Sequence, residues 1–291
     1  MSQVGSLLSP VIVGRGDLMD LAQRRLDEVR GGSGHFLLAS GEAGIGKTRF
    51  LDAVGSLATG RGFRVAQAEL APQDRDVLAA SFLALGRTMR RDPAFGTTGR
   101  ELIDVLRLRL DASRPHRRDL VMEVVDLLAT DVPTVLAFED LQWADDLSLE
   151  TLTELARQTR DRPLLLVGAY RSNEAIAGVV LREWRSRLVT QRLAEEIRLG
   201  RLSRDETALM TTLILGTGLP APRDVVEAVY TRTDGVPLHI EELCSAIGRE
   251  RLADSRAILD ADVPETLEDA TLARIGRLSP EAQAVARAGA V

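Results

Sequence analysis

Apolar residues recur along this chain in two rhythms. Residues 18–29 alternate apolar and charged positions at helical spacing and stop at Gly31 and Gly32, which predicts a helix ended by glycine. Residues 35–40 form a short apolar run, followed by a glycine-rich segment and a second helix beginning around Lys47. Residues 64–70, after Gly60 and Gly62, predict another strand. The runs 134–138 and 163–170 are nearly continuous in apolar residues. Strands without polar alternation fit a parallel sheet covered on both faces rather than a half-exposed antiparallel one. Residues 196–199 predict a short fifth strand. Between Asp76 and Thr130 two helical faces stand out: Leu102, Ile103, Leu106 and Leu110, then Leu120, Val121, Val124, Val125 and Leu128. Pro93 and Pro115 punctuate these segments, and the mixed stretch 71–99 gives no clear assignment.

After Arg201 the pattern is helical throughout. Ser203 and Glu206 have capping-box spacing, residues 223–230 form a second helix, and Pro237 occupies the first turn of a third that reaches Ile247. Residues 264–275 predict a further helix, and Ser279-Pro280 starts one more. The pattern therefore predicts an α/β domain over residues 1–200, with a parallel sheet flanked by helices and ligands beyond the carboxyl ends of its strands. A small helical lid domain follows over 201–260, and 261–291 begin a further helical or winged-helix domain. Because Val291 falls inside an apolar helical pattern, the sequence is expected to be a portion of a longer polypeptide, or its last segment to dock elsewhere.

Composition narrows this picture only modestly. An apolar share of 45% and a charged share of 27% suit a globular protein with ample core. The lone Cys244 excludes an internal disulfide and reads as a small buried apolar residue. A formal charge of −6 gives no broad electrostatic reason for this portion to bind nucleic acid. No apolar run approaches the roughly 18 residues needed to span a bilayer, and the stretch before Gly14 lacks the layout of a secretory signal, so no membrane partner and a cytoplasmic location are expected. His35, His116 and His239 are scattered without metal-ligand spacing.

The chemistry concentrates in Gly41-Glu42-Ala43-Gly44-Ile45-Gly46-Lys47-Thr48, which satisfies GxxxxGK[ST] completely. Glycines permit backbone angles and close approaches that a Cβ obstructs, so successive N–H groups can surround phosphate oxygens. Of the 37 basic side chains, Lys47 is the sole lysine; its compact ammonium on a flexible stem reaches between phosphates in a way a guanidinium fork cannot. Thr48 can place its hydroxyl on Mg²⁺. This is a phosphate loop for a nucleotide, ATP or ADP, with Mg²⁺. Glu139 and Asp140 end the strand at 134–138, where unpaired carboxylates repel unless a metal offsets the cost. One would contact the metal and the other position attacking water; their order leaves the division of roles open. Arg171 ends the next strand as a candidate sensor of the γ-phosphate or a surface partner of Glu174. Asp145 and Asp146 read as the start of a helix.

Together these segments resemble the ATPase module of the signal-transduction ATPases with numerous domains, within the AAA-like P-loop NTPase class, and most of all the N-terminal nucleotide-binding region of large bacterial LuxR-type transcriptional regulators. The resemblance rests on Val13-Gly14-Arg15, the phosphate loop, VLAFEDLQWAD at 135–145, LLLVGAYRSNE at 164–174 and DGVPLHIEEL at 234–243. It implies that Val13, Gly14 and Arg15 lie near base or ribose, that Gly41, Gly44, Ile45, Gly46, Lys47, Thr48 and Arg49 hold nucleotide, and that Pro237 places the lid against it. By the same resemblance Lys47, Glu139, Asp140 and Arg171 are catalytic, and Thr48, Glu139 and Asp140 hold the metal. The implied function is a slow ATPase switch, set by a small-molecule or protein inducer, that self-associates with nucleotide and reaches DNA only through a downstream domain. Two alternatives stay open: the sensory ATPase module of a nucleotide cyclase or protein kinase, and a nucleotide-binding scaffold with little turnover.

Overall fold

The computed structural model describes residues 9–110, 117–172, 174–248, 251–252 and 254–261. Two units emerge from their contacts. One comprises Arg15–Glu42 and Lys47–Leu199; the other takes in the segment up to Gly14, Ala43–Gly46 and the chain from Gly200 onward.

The larger unit is an α/β sandwich. Strands β1 (His35–Gly41), β2 (Arg64–Glu69), β3 (Thr134–Glu139), β4 (Leu164–Arg171) and β5 (Glu195–Arg198) form a parallel sheet in the order β2-β3-β4-β1-β5. The lack of polar alternation has its physical reason here. On β3 every residue is buried, because successive side chains face opposite sides and both sides are covered. Phe36, Leu38, Leu136, Phe138 and Leu166 join one core, built with α3 (Ala80–Met89), α4 (Thr98–Leu110), α5 (Arg117–Leu128), α6 (Asp146–Gln158) and α7 (Glu174–Thr190). Helices α1 (Gly16–Arg30) and α2 (Lys47–Thr59) pack on each other and on the sheet. Trp184 of α7 packs edge-on against Phe36 and donates its indole N–H to Leu149 O and Thr153 Oγ1, both at 2.8 Å.

The stretch 71–99, unassigned by its pattern, contains a 3₁₀ turn at Pro72–Asp76, then α3, then a second 3₁₀ turn at Pro93–Phe95. Helix α3 begins after Ala79, whose φ is +57° and whose side chain caps nothing. Its cap comes from far away. Asp145 accepts the N–H groups of Ala79 (3.0 Å) and Ala80 (3.2 Å), and as N-cap of α6 it also accepts those of Leu147 (3.0 Å) and Ser148 (3.1 Å). One buried carboxylate therefore satisfies the orphan donors of two helices.

The smaller unit is helical. Ser203 and Glu206 form the expected capping box at the start of α8 (Arg204–Leu215), with Ser203 N donating to Glu206 Oε2 at 2.7 Å and Glu206 N to Ser203 Oγ at 3.2 Å. Helices α9 (Arg223–Thr233), α10 (Pro237–Ile247) and α11 (Ser255–Leu259) complete it around Val13, Leu202, Ile214, Val229, Ile240 and Cys244. Burial pushes the Cys244 thiol up to about 12, which leaves it protonated and unreactive near neutrality. The helices expected at 264–275 and from Ser279 lie outside the described residues.

Asp145→Ala strips acceptors from four buried N–H groups and should destabilise the chain by on the order of 3 kcal/mol. Urea unfolding reads the loss, and Asp145→Asn, which keeps one acceptor oxygen, should lose less; equal midpoints for Asp145→Ala and wild type would contradict the shared cap.

Candidate functional site

Parallel strands all end on one side, so residues distant in sequence meet at the carboxyl edge. Gly41, last in β1, is in register with Arg171, last in β4, and Glu139 ends β3 beside them in the sheet order. Helix α2 opens with Lys47 and Thr48. Strand, glycine loop and helix thus follow one another as the pattern predicts.

Lys47 is only 8% exposed, and its Nζ donates to the carbonyls of Gly41 (3.1 Å) and Glu42 (2.9 Å). Burial pulls its pKa below the usual lysine value; Asp140 opposes this, Arg171 adds to it, and Glu139 and Glu42 oppose it further. Glu139 is 6% exposed. Burial is the leading cause that raises its pKa; the Thr48 hydroxyl, which donates to Oε1, works in the opposite direction, and the neighbouring Asp140 raises it further. Gln67 Nε2 donates to the other carboxylate oxygen at 3.3 Å.

Asp140 follows with φ +56° and ψ +44°, the left-handed region that turns the chain sharply out of the strand. Its carboxylate lies 3.9 Å from Arg171 Nε and accepts Gln142 Nε2 at 2.7 Å. Gln142, 2% exposed, also accepts the backbone N–H of Arg171 at 3.0 Å. A buried amide therefore ties the end of β3 to the end of β4. The sequence reading gave no role to Gln142 or Gln67; both are single polar residues whose partners lie on other strands or turns, and only the preceding acidic pair marks their neighbourhood.

The larger unit accordingly brings together Lys47, Thr48, Glu139, Asp140 and Arg171. Gly41 closes β1, Arg49 lies half-buried on α2, and Arg15, 7% exposed, is the residue before α1. The other expected residues fall in the helical unit. Gly44 and Gly46 have φ of +74° and +97°, conformations that explain glycine at both positions. Ile45 is 1% exposed. The Gly44 carbonyl accepts the N–H of Leu238 at 3.1 Å; Pro237, first in α10, has no N–H to offer. Val13 packs in the helical core, and a Cβ on Gly14 would approach Glu206 Oε1 to 2.5 Å.

Thr48 Oγ1 and the carboxylates of Glu139 and Asp140 offer oxygen alone, the donor chemistry that suits Mg²⁺, and among the described residues no group of three His, Cys, Asp or Glu side chains suggests a different metal site. No described helix is long and apolar enough to cross a membrane.

The AAA ATPase domain family matches residues 11–167, more than half of the chain, and the chain belongs to that family. An uncharacterized protein of Rhizobium meliloti is 26% identical over 98% of this chain, which spans only 30% of that protein's length. Among solved structures, the ORC1 protein of Aeropyrum pernix in complex with DNA is similar with a TM-score of 0.54 at 16% identity, covering 94% of this chain and 67% of that one. Drosophila ORC bound to DNA gives a TM-score of 0.52 at 13% identity, with the same two coverages. These two likenesses are of fold.

The raised pKa of Glu139 has a sign that can be tested without nucleotide or metal. A carboxyl whose folded pKa exceeds its unfolded one favours the folded state below the unfolded pKa, and that advantage is lost as pH rises through the folded pKa. Glu139→Gln keeps the shape without the charge, so it should unfold at higher urea than wild type at pH 7, with the gap closing as pH falls below the ordinary glutamate range. A gap that widens on acidification would show that the carboxylate is held below its usual pKa instead.

Proposed function

We propose that this AAA ATPase chain is an ATP-binding, slowly hydrolysing, Mg²⁺-dependent switch module of a larger LuxR-type transcriptional regulator. The observation that carries the reading is the meeting of Lys47, Thr48, Glu139, Asp140 and Arg171 at one sheet edge behind a complete GxxxxGKT loop. Lys47, desolvated and hydrogen-bonded to the carbonyl oxygens of Gly41 and Glu42, is placed to exchange those neutral acceptors for phosphate oxygens. Mg²⁺, when bound, supplies charge neutralisation for the phosphates.

The side-chain partners support a division of labour. Glu139 shares a hydrogen bond with Thr48 and so takes the metal side with it. Asp140, beside Arg171 and steadied by Gln142, takes the water side, where it accepts a proton as the oxygen of water attacks the γ-phosphorus and the bond to the ADP oxygen breaks. Arg171 is placed to meet charge on the transferred phosphoryl group. As a switch, the chain must bind ATP with different free energies in its two output states, since equal affinity shifts nothing. The regulator context draws on the motif series of the resemblance and on the 30% coverage of the Rhizobium meliloti relative, which carries much more chain than this module.

The full chain, denatured after purification, should release close to one equivalent of adenine nucleotide, and Lys47→Ala should release almost none. Turnover should be slow, on the order of one per minute or less, as in unassisted P-loop switches. Asp140→Asn should cut turnover about a hundredfold while ADP binding survives, and Glu139→Gln should weaken the Mg²⁺ dependence of binding. Hydrolysis that persists at wild-type rate in Lys47→Ala would overturn the assignment. Gln142→Leu should lower kcat by roughly tenfold with KM little changed, as expected when a partner of the reacting group loosens.

A further inference from the structure

A cavity lies at the same end of the sheet as these residues, near β5. It has a volume of about 440 Å³, within the range of small-ligand sites, and is lined by Ser40, Tyr170, Ser172, Leu181, Arg182, Arg185, Glu196 and Arg198. Three strands build its floor in one row. Tyr170 on β4 is in register with Ser40 on β1, and Ser40 with Arg198 on β5, so the three side chains project from one face side by side. Glu196, two residues before Arg198, shares that face. Helix α7 supplies Arg182 and Arg185, three apart and hence neighbours on its surface.

The chemistry of this lining is lopsided. The guanidinium groups of Arg185 and Arg198 share the lining with one carboxylate, that of Glu196, and with the hydroxyls of Ser40, Ser172 and Tyr170. The carboxylate is already engaged: Glu196 Oε1 accepts both the Tyr170 hydroxyl and Arg185 Nη1, the latter at 3.2 Å. The Arg185 guanidinium also interacts with the Tyr170 oxygen, yet its Nε is buried without an acceptor, although a guanidinium edge normally uses such a donor on a bidentate acceptor. Ser40 Oγ, spending its proton on Ile197 O at 3.2 Å, and the 4%-exposed Tyr170 ring fix the walls.

We propose that this cavity is a binding site for a small anion bearing a phosphate or carboxylate group, held by Arg185 and Arg198 and bounded by Tyr170. It is separate from the phosphate loop. Ser40 and Tyr170 precede Gly41 and Arg171 by one residue each, and consecutive strand residues face opposite sides.

The test titrates the full chain, saturated with ADP, with sodium phosphate, sodium pyrophosphate and sodium citrate at constant ionic strength set by sodium chloride, and follows heat. The same titrations on Lys47→Ala, whose phosphate loop is disabled, make the outcome independent of the nucleotide reading. At least one probe should bind saturably to both proteins, and the preference between citrate and the phosphates names the ligand's anionic group. Arg185→Gln and Arg198→Gln should each weaken that binding about tenfold or more, the loss of one charge-assisted pair. Tyr170→Phe should cost about threefold or more through the disturbed Glu196 contact. Arg198 is exposed on the edge strand, so its variant keeps the test sound if Arg185→Gln unfolds. The proposal is overturned if no probe binds saturably, if binding ignores both arginine variants, or if it disappears with Lys47.

Discussion

Charge kept out of water governs this chain's larger unit. Both faces of the sheet are covered by helices, so polar groups can gather only where the strands end, and there they gather tightly. Lys47 holds a desolvated ammonium against two carbonyls, and Glu139 holds a carboxyl whose burial favours its neutral form. Each is costly by itself. Neither can move far, because the loop before Lys47 is tethered to β1 and Glu139 is the last rung of a fully buried strand. On the proposed function, a phosphate group with its counter-ion is what relieves that cost.

The arginine bias of the chain fits the same logic from the other direction. Arg30, Arg64, Arg75 and Arg204 lie over Phe63, Phe95, Trp143 and Tyr230, with guanidinium carbons 4.5 to 5.8 Å from the ring centres. Flat, weakly hydrated cations do this well, and they also make the exposed ion pairs that contribute little apiece. The chain's one lysine is Lys47, a point charge on a slim stem, and it sits where its ammonium is desolvated against the carbonyls of Gly41 and Glu42.

How much could be read beforehand depended on where each determinant lay. The strands were legible because their burial on both faces is written in their own residues, as in Val135 to Phe138, and α8 because Ser203 and Glu206 cap it locally. Helix α3 was not, since Ala79 offers no cap and its donors are met by Asp145, 66 residues further on. The phosphate loop, the acidic pair and Arg171 were legible as residue types at strand ends, and the larger unit does bring Lys47, Thr48, Glu139, Asp140 and Arg171 together. Gln142 was not, because a glutamine announces no partner; its role appears only when Asp140 and the Arg171 amide are both in reach. Nor does any local signal say that Gly44, within the loop, shares a hydrogen bond with Leu238 nearly two hundred residues later.

The strand order has a consequence for how the protein comes into being. β1 is flanked by β4 and β5, so the strand that launches the phosphate loop has no strand partner among the described residues of the next hundred. As the ribosome delivers the polypeptide from its N-terminus, β2 and β3 can pair with each other, while β1 must wait with both edges open until β4 emerges. The loop is therefore synthesised before either of the strands that hold β1 in the sheet. During that interval an apolar, hydrogen-bond-hungry strand is exposed to any other nascent chain nearby.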